Sequence, residues 1–121
     1  ADFQPANPAN QKLKKSSLSS SLDLEPTHDF LVDLGKGKLP HQTIVGFAAE
    51  TEELEKNAKG KLEKKNLDLI VANDITAPNT GFSYDTNEVL LISNEGETAV
   101  PLSGKRVIAD RILDAVTELR N

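Results

Sequence analysis

The chain has 121 residues and a formal net charge of −5, with 37% hydrophobic and only 4% aromatic residues. This length suits one domain or part of a larger one, with a core of aliphatic side chains. The acidic balance excludes a general nucleic-acid surface, so local lysine clusters would have to meet any polyanion. The sequence contains no cysteine, which excludes disulfides, thiolate metal sites and a cysteine nucleophile within this chain. No apolar run approaches a membrane span and no signal peptide is visible, so we expect a cytoplasmic protein without a membrane or nucleic-acid partner.

The N-terminal segment predicts a loop followed by a hairpin. Pro5 and Pro8 favour an extended loop over residues 1–11. Short strands at 12–15 and 22–24, on either side of serine-rich residues 16–21, predict a protruding hairpin with a mobile tip. In such a strand Lys12 and Lys14 share one face, and with Lys15 they are candidates to close over a polyphosphate. Spacing alone favours the simpler interpretation, a charged strand edge that discourages aggregation.

A short helix is predicted next, over residues 28–34. Thr27 is a candidate N-cap, and Gly35 and Gly37 would end the helix.

Residues 43–74 predict one strand–helix–strand unit. The runs at 43–48 and 67–72 are nearly continuously apolar, which is typical of parallel strands buried on both faces. Between them Leu54, Ala58 and Leu62 recur at helical spacing, and Thr51 is a candidate N-cap. The chain lacks a glycine-rich phosphate loop, which a doubly wound fold carries in its first half, so we expect a C-terminal half of such a fold.

Several residues of this unit are candidates for chemistry, and each has a structural alternative. Lys61 and Lys65 share a helix face and suit a phosphate, although the pattern alone favours compensation of the helix dipole, which is a sufficient explanation by itself. Asn73 and Asp74 follow a buried strand, where open α/β sheets place ligands, but loop hydrogen bonding is as probable. Phe47 suits stacking on a base, although core packing is the commoner use of such a residue.

The rest of the chain predicts a loop, a hairpin and a helix. Residues 75–87 are rich in turn formers, and strands at 89–92 and 98–102 flank a turn. Ser103 is a candidate cap for a last helix. Its predicted apolar face consists of Ile108, Ile112, Ala115, Val116 and Leu119. The predicted fold class is α/β, a Rossmann-like three-layer half-domain with a mainly parallel sheet, a protruding hairpin and a C-terminal β-hairpin plus helix.

Four stretches keep a characteristic order and spacing. They read ADF at 1–3, KLKK at 12–15, VGFAAET at 45–51 and KNLDLIVAND at 65–74. Together they resemble phosphopantothenate–cysteine ligase, the synthetase part of a bacterial bifunctional protein that also carries a phosphopantothenoylcysteine decarboxylase. The resemblance covers residues 1–121 as the C-terminal part of the ligase domain, with 12–24 as its lid and dimerisation hairpin. The family's N-terminal half is absent from this chain and becomes an expected partner, together with a second copy in a homodimer.

The resemblance implies a reaction and a set of site residues. CTP would activate 4′-phosphopantothenate to an acyl-cytidylate, and cysteine would displace CMP to give 4′-phosphopantothenoylcysteine. Mg²⁺ is the implied metal, whereas FMN would belong only to a fused decarboxylase domain. Lys12 is the implied catalytic and nucleotide contact, and Asp2 is implied near the triphosphate and the metal. The other implied CTP contacts are His28, Asp29, Phe30, Leu31, Phe47, Lys61 and Lys65, with Asn73 and Asp74 in the substrate cleft.

Two rival hypotheses remain. In the first hypothesis, this chain alone is a non-catalytic module that binds a nucleotide or dimerises. Alternatively, it would be a nicotinamide-binding Rossmann domain, which the missing GxGxxG motif disfavours.

Overall fold

The computed structural model describes residues 1–17 and 21–121. The chain forms two compact units, Ala1–Phe30 and Leu31–Asn121. Within the described residues, no helix combines the length and the apolarity that crossing a membrane requires.

The first unit is built on a two-stranded antiparallel sheet. Strand β1 (Phe3–Pro5) pairs with β2 (Leu24–Pro26), and every residue of both strands is exposed. The Thr27 hydroxyl donates to the Ala1 carbonyl oxygen at 2.6 Å, and the Thr27 N–H donates to Asp2 at 2.9 Å. Hydrogen bonds rather than burial therefore hold this sheet together.

The predicted strand at residues 12–15 is wrong, since residues 12–14 have no regular structure and Lys15–Ser17 form a 3-10 turn. Leu24 pairs instead with Pro5, because β1 offers a ladder partner. Serine side chains also compete for backbone hydrogen bonds. Residues 18–20, the middle of the predicted serine-rich tip, lie outside the described residues.

The second unit carries a four-stranded mixed sheet in the order β3-β4-β5-β6. Strands β3 (Val45–Glu50) and β4 (Leu69–Asp74) pair in parallel. Strands β5 (Thr86–Ser93) and β6 (Gly96–Gly104) continue the sheet with antiparallel ladders. The helices are α1 (Phe30–Lys36), α2 (Leu54–Lys64) and α3 (Lys105–Arg120). The α/β class, the strand–helix–strand unit and the C-terminal hairpin plus helix are confirmed.

Two hydrophobic clusters lie on opposite faces of the sheet and make three layers. On one face Ala58 and Leu62 of α2 pack against residues that include Ile70 and Ala72. On the other face Leu69 and Val71 pack against α3, whose predicted apolar stripe is confirmed in this cluster. Side chains alternate along a strand, so β4 is buried on both faces, as its continuous apolar run predicted.

Three predicted helix starts are wrong. Two of the predicted capping side chains bond elsewhere, and one helix begins later in the chain than predicted. Helix α1 begins at Phe30, since the Thr27 hydroxyl bonds to Ala1. Helix α2 begins after Glu53, which adopts a left-handed conformation, so Thr51 does not cap it. Helix α3 follows Gly104, because the Ser103 hydroxyl donates to Pro101 at 2.8 Å.

Gly35 marks a close approach between two segments of the second unit. A Cβ atom built on Gly35 would lie 1.9 Å from the Lys65 carbonyl oxygen. The Asn66 amide donates to the Gly35 carbonyl oxygen at 2.8 Å. Gly35 thus lies inside α1, where it was predicted to end the helix, and it lets α1 approach the end of α2. Gly37 directly follows the last residue of α1, as predicted.

Candidate functional site

A cavity of about 460 Å³ lies at the carboxyl ends of β3 and β4. Phe47 and Asn73 line it from these strands, and Phe82, Asn87 and Lys105 line it from the chain that follows. Phe47 pairs with Val71, so its side chain is on the α3 face of the sheet. The structure therefore brings two sequence-predicted site residues, Phe47 and Asn73, into one cavity.

Two aromatic rings are left exposed at this cavity. Phe47 is 72% exposed and Phe82 is 101% exposed. An exposed aromatic ring beside a concave surface suits a planar or apolar ligand group. Two amide side chains and one ammonium group add hydrogen-bonding capacity to the same wall.

The loop between β4 and β5 is held in place by its own hydrogen bonds. The Thr80 hydroxyl lies 2.9 Å from the Asp74 carbonyl oxygen and 2.8 Å from that of Ala77. Thr80 is only 5% exposed, so these bonds satisfy a buried polar group. The Thr86 hydroxyl also donates to Asn79 at 2.7 Å. This loop forms one wall of the cavity, and these hydrogen bonds hold the base of the loop in place.

Asp74 faces away from the cavity and makes local bonds. It pairs with Glu50 one position beyond Asn73, so the two neighbouring side chains are on opposite faces. The Thr76 hydroxyl and backbone N–H donate to the Asp74 carboxylate at 2.5 and 2.8 Å. These donors hold the pKa of Asp74 below its ordinary value, with the hydroxyl as the main cause. The structure thus separates Asp74 from Asn73, with which it was predicted to form a cleft.

Lys61 also lies on the α2 side of the sheet. Its ammonium group is 2.5 Å from the Glu50 carboxylate, and the Glu50 side chain is only 12% exposed. Glu50 is the last residue of β3, so the pair lies near the carboxyl end of the strands. Lys65 directly follows α2, about one helical turn beyond Lys61, and its carbonyl oxygen lies close to Gly35. Lys61 and Lys65 therefore lie at the same end of α2, whereas Phe47 lies on the opposite face of the sheet.

The remaining predicted residues belong to the N-terminal part of the chain. Asp2, Lys12, His28, Asp29 and Phe30 are exposed within the first unit, and Leu31 is half-buried at the start of the second.

Among the described residues no cluster of three or more histidine, aspartate or glutamate side chains suits a metal ion. A magnesium ion that is bound mainly through phosphate oxygens needs only one or two carboxylates. The exposed carboxylate of Asp2 fits that limited demand.

The sequence predicted Phe47 and Asn73 but none of the other residues that line the cavity, among them Phe82, Asn87 and Lys105. Phe82 lies in a segment whose sequence indicates only turns, and Lys105 is the first residue of a helix. A phenylalanine in a turn-rich segment is a signal for such a site, because a surface turn seldom places an aromatic ring in the core.

Comparisons with known proteins agree with this fold. Residues 1–119 match the family model described as the DNA/pantothenate metabolism flavoprotein C-terminal domain. The chain is 42% identical over 120 residues to the coenzyme A biosynthesis bifunctional protein CoaBC of Bacillus subtilis (strain 168). That match covers 98% of this chain and 29% of the relative, so the chain spans less than a third of that protein.

Two solved structures have a fold similar to that of this chain. The crystal structure of the C-terminal domain of coenzyme A biosynthesis bifunctional protein CoaBC matches with a TM-score of 0.70 and 32% identity, over 96% of this chain and 48% of that one. A Cab2 mutant in complex with phosphopantothenate-cysteine has a TM-score of 0.69 at 21% identity, over 98% of this chain and 42% of that one, and shows likeness of fold. By its sequence match along nearly its whole length, the chain belongs to the DNA/pantothenate metabolism flavoprotein C-terminal domain family.

Proposed function

We propose that this chain is the C-terminal part of a phosphopantothenate–cysteine ligase that uses CTP. The observation that carries the proposal is the family match over residues 1–119, together with 42% identity to a bifunctional protein of coenzyme A biosynthesis. The cavity beside Phe47 and Asn73 supports it, because it lies where α/β folds bind ligands.

The proposed reaction has two steps. The carboxylate of 4′-phosphopantothenate attacks the α-phosphorus of CTP, and pyrophosphate leaves. The cysteine amine then attacks the acyl carbon, and CMP leaves as the amide bond forms. The first step brings two anions together, so it depends on cationic groups around the triphosphate.

Lysines supply the cations in this proposal. Lys12, Lys61 and Lys65 contact the triphosphate, and Asp2 would hold Mg²⁺ together with the phosphate oxygens. Phe47 contacts the nucleotide, and residues 28–31 provide further contacts to it. Phe47 and Lys61 are on opposite faces of the sheet, and β3 is an edge strand among the described residues, so a nucleotide that contacts both would extend around that edge.

The proposed enzyme also includes other protein parts. The N-terminal half of the ligase supplies the rest of the site, and two copies form a homodimer. A decarboxylase with its FMN is fused upstream, in keeping with the bifunctional relative.

Substitution of two lysines in the full-length protein tests the proposal. We expect Lys12→Ala and Lys61→Ala each to raise the KM for CTP roughly ten- to hundredfold, the range for one hydrogen bond to a charged group. Pyrophosphate release at varied CTP measures this change. The exposed Lys64 provides a matched control, and Lys64→Ala should leave the KM unchanged. CTP titrations of Lys12→Ala and Lys61→Ala that coincide with the unmodified protein would reject the assignment.

Lys61 needs a further control because Glu50 is its ion-pair partner. Removing Lys61 leaves a poorly exposed carboxylate unpaired, which by itself destabilises the site. The double variant Lys61→Ala with Glu50→Gln removes that carboxylate. If Lys61 binds phosphate, the double variant keeps the high KM; restoration of the KM would assign the defect to Glu50 instead.

A second candidate function follows from the coverage, since the chain spans only 29% of its relative. The chain alone would then bind a nucleotide or dimerise without turnover. Thermal shift with CTP, ATP and NAD identifies the nucleotide class. Addition of the N-terminal half should start pyrophosphate release if the chain is part of a ligase.

A further inference from the structure

The tip of the loop between β4 and β5 forms one wall of the cavity through Gly81 and Phe82. Phe82 is 101% exposed, so its ring has no packing contacts that would fix its position. The position of this ring therefore depends on how the backbone of the tip is held.

The base and the tip of this loop are held differently. At the base, Thr80 is buried, and its hydroxyl lies within hydrogen-bonding distance of the carbonyl oxygens of Asp74, at the end of β4, and Ala77. At the tip, Gly81 has a φ of +94°, a conformation that residues with a Cβ rarely adopt. A bond within the tip, from the Tyr84 N–H to the Gly81 carbonyl oxygen, is long at 3.4 Å.

Lys105 connects this tip to α3. Its ammonium group donates to the Gly81 carbonyl oxygen at 3.1 Å. Its backbone N–H donates to the Asp85 carbonyl oxygen at 3.0 Å. Both ends of the segment 81–85 are thus tied to the first residue of a 16-residue helix, which packs on the sheet.

We propose that Lys105 is a positioning residue that holds the Gly81–Phe82 wall of the cavity in its ligand-binding conformation through the bond to the Gly81 carbonyl oxygen. This inference rests on the proposed function in taking the ligand of the cavity to be CTP. Lys105 acts on the nucleotide through the loop, and a charge-assisted donor is the stronger kind of hydrogen bond for this purpose.

Hydrogen exchange and kinetics of the full-length protein test the proposal together. Lys105→Ala removes the side-chain donor and keeps the backbone donor to Asp85. We expect faster amide exchange in residues 78–85 and a KM for CTP that rises roughly three- to tenfold, with kcat nearly unchanged. Lys105→Arg keeps a cationic donor and should restore both values. Lys64→Ala changes the charge equally at an exposed position of α2 and serves as the control.

Three results would overturn the proposal. Exchange and KM in Lys105→Ala that match those of Lys64→Ala would show that the bond positions nothing. A loss of kcat with an unchanged KM would make Lys105 a direct participant in the reaction. An arginine variant as mobile as the alanine variant would show that the cationic donor is not what holds the tip.

The exchange measurement also separates this proposal from the proposed function. If the unmodified protein releases no pyrophosphate from CTP, the ligase assignment fails. In that case, faster exchange at 78–85 in Lys105→Ala still supports the role of Lys105 in holding the tip, and unchanged exchange overturns it.

Discussion

Three polar side chains around the carboxyl ends of β3 and β4 already have partners within the fold. Lys61 pairs with Glu50, Asp74 accepts two bonds from Thr76, and Lys105 donates to Gly81. A ligand that binds Lys61 must compete with a carboxylate 2.5 Å away. An anion with several charges, such as a triphosphate, is better able to compete than a single carboxylate.

The bonds to Asp74 predict a pH dependence of stability. The pKa of Asp74 is below its ordinary 3.8, chiefly because the Thr76 hydroxyl stabilises the charged carboxylate. A carboxyl with a lowered pKa stabilises the folded state above its ordinary pKa, and this contribution is lost as the pH falls through the folded value. We expect the free energy of unfolding to fall more steeply in the unmodified protein than in Asp74→Asn as the pH drops below 3.8. Urea unfolding across that range measures the difference, and parallel curves would contradict it.

At the scale of elements, α2 has one tightly packed face and one open face. Ala58 and Leu62 are buried against the sheet. Lys59 forms ion pairs with Glu55 and with Glu97 of β6, which raise the pKa of Lys59. The apolar stripe therefore holds the helix on the sheet, and the partly exposed ion pairs add little to its stability.

Two glycines near α2 predict opposite effects of the same substitution. A Cβ atom on Gly60 would meet nothing within 4 Å, so Gly60→Ala should stabilise the protein by about 1 kcal/mol through helix propensity. A Cβ atom on Gly35 would lie 1.9 Å from the Lys65 carbonyl oxygen, so Gly35→Ala should destabilise it by roughly 1–3 kcal/mol. Urea unfolding of both variants tests the pair, and effects of the same sign would contradict the described contacts.

At the scale of the whole molecule, the two units differ in how they are stabilised. The strands of the first unit are three residues long and fully exposed. The second unit holds the two buried clusters. A two-stranded sheet without a buried face is marginally stable by itself.

This difference predicts unequal hydrogen exchange along the chain. We expect the amides of β1 and β2 to exchange at least about 100-fold faster than those of β4 and β5, because only the latter require unfolding of a core to open. Mass spectrometry of peptides from residues 1–30 and 67–93 measures both. Equal protection in the two units would contradict the prediction and indicate that another surface covers the first.

Local patterns in the sequence determined much of the second unit. The continuous apolar run of β4, the stripe of α2 and the stripe of α3 each report burial through periodicity. The resemblance to the ligase family also came from local motifs, and the family is confirmed. Local spacing was less informative about helix starts, because Thr27 and Ser103 use their hydroxyl groups elsewhere.

Only the tertiary structure decided which distant segments meet. It paired β1 with β2 across a long connection instead of forming the predicted strand at 12–15. It also placed Phe47, Phe82 and Lys105 around one cavity and Lys61 on the opposite face of the sheet. The sequence determined the elements and their buried faces, because burial leaves a repeating pattern along the chain. It did not determine the site, because contacts between residues far apart in sequence leave no such pattern.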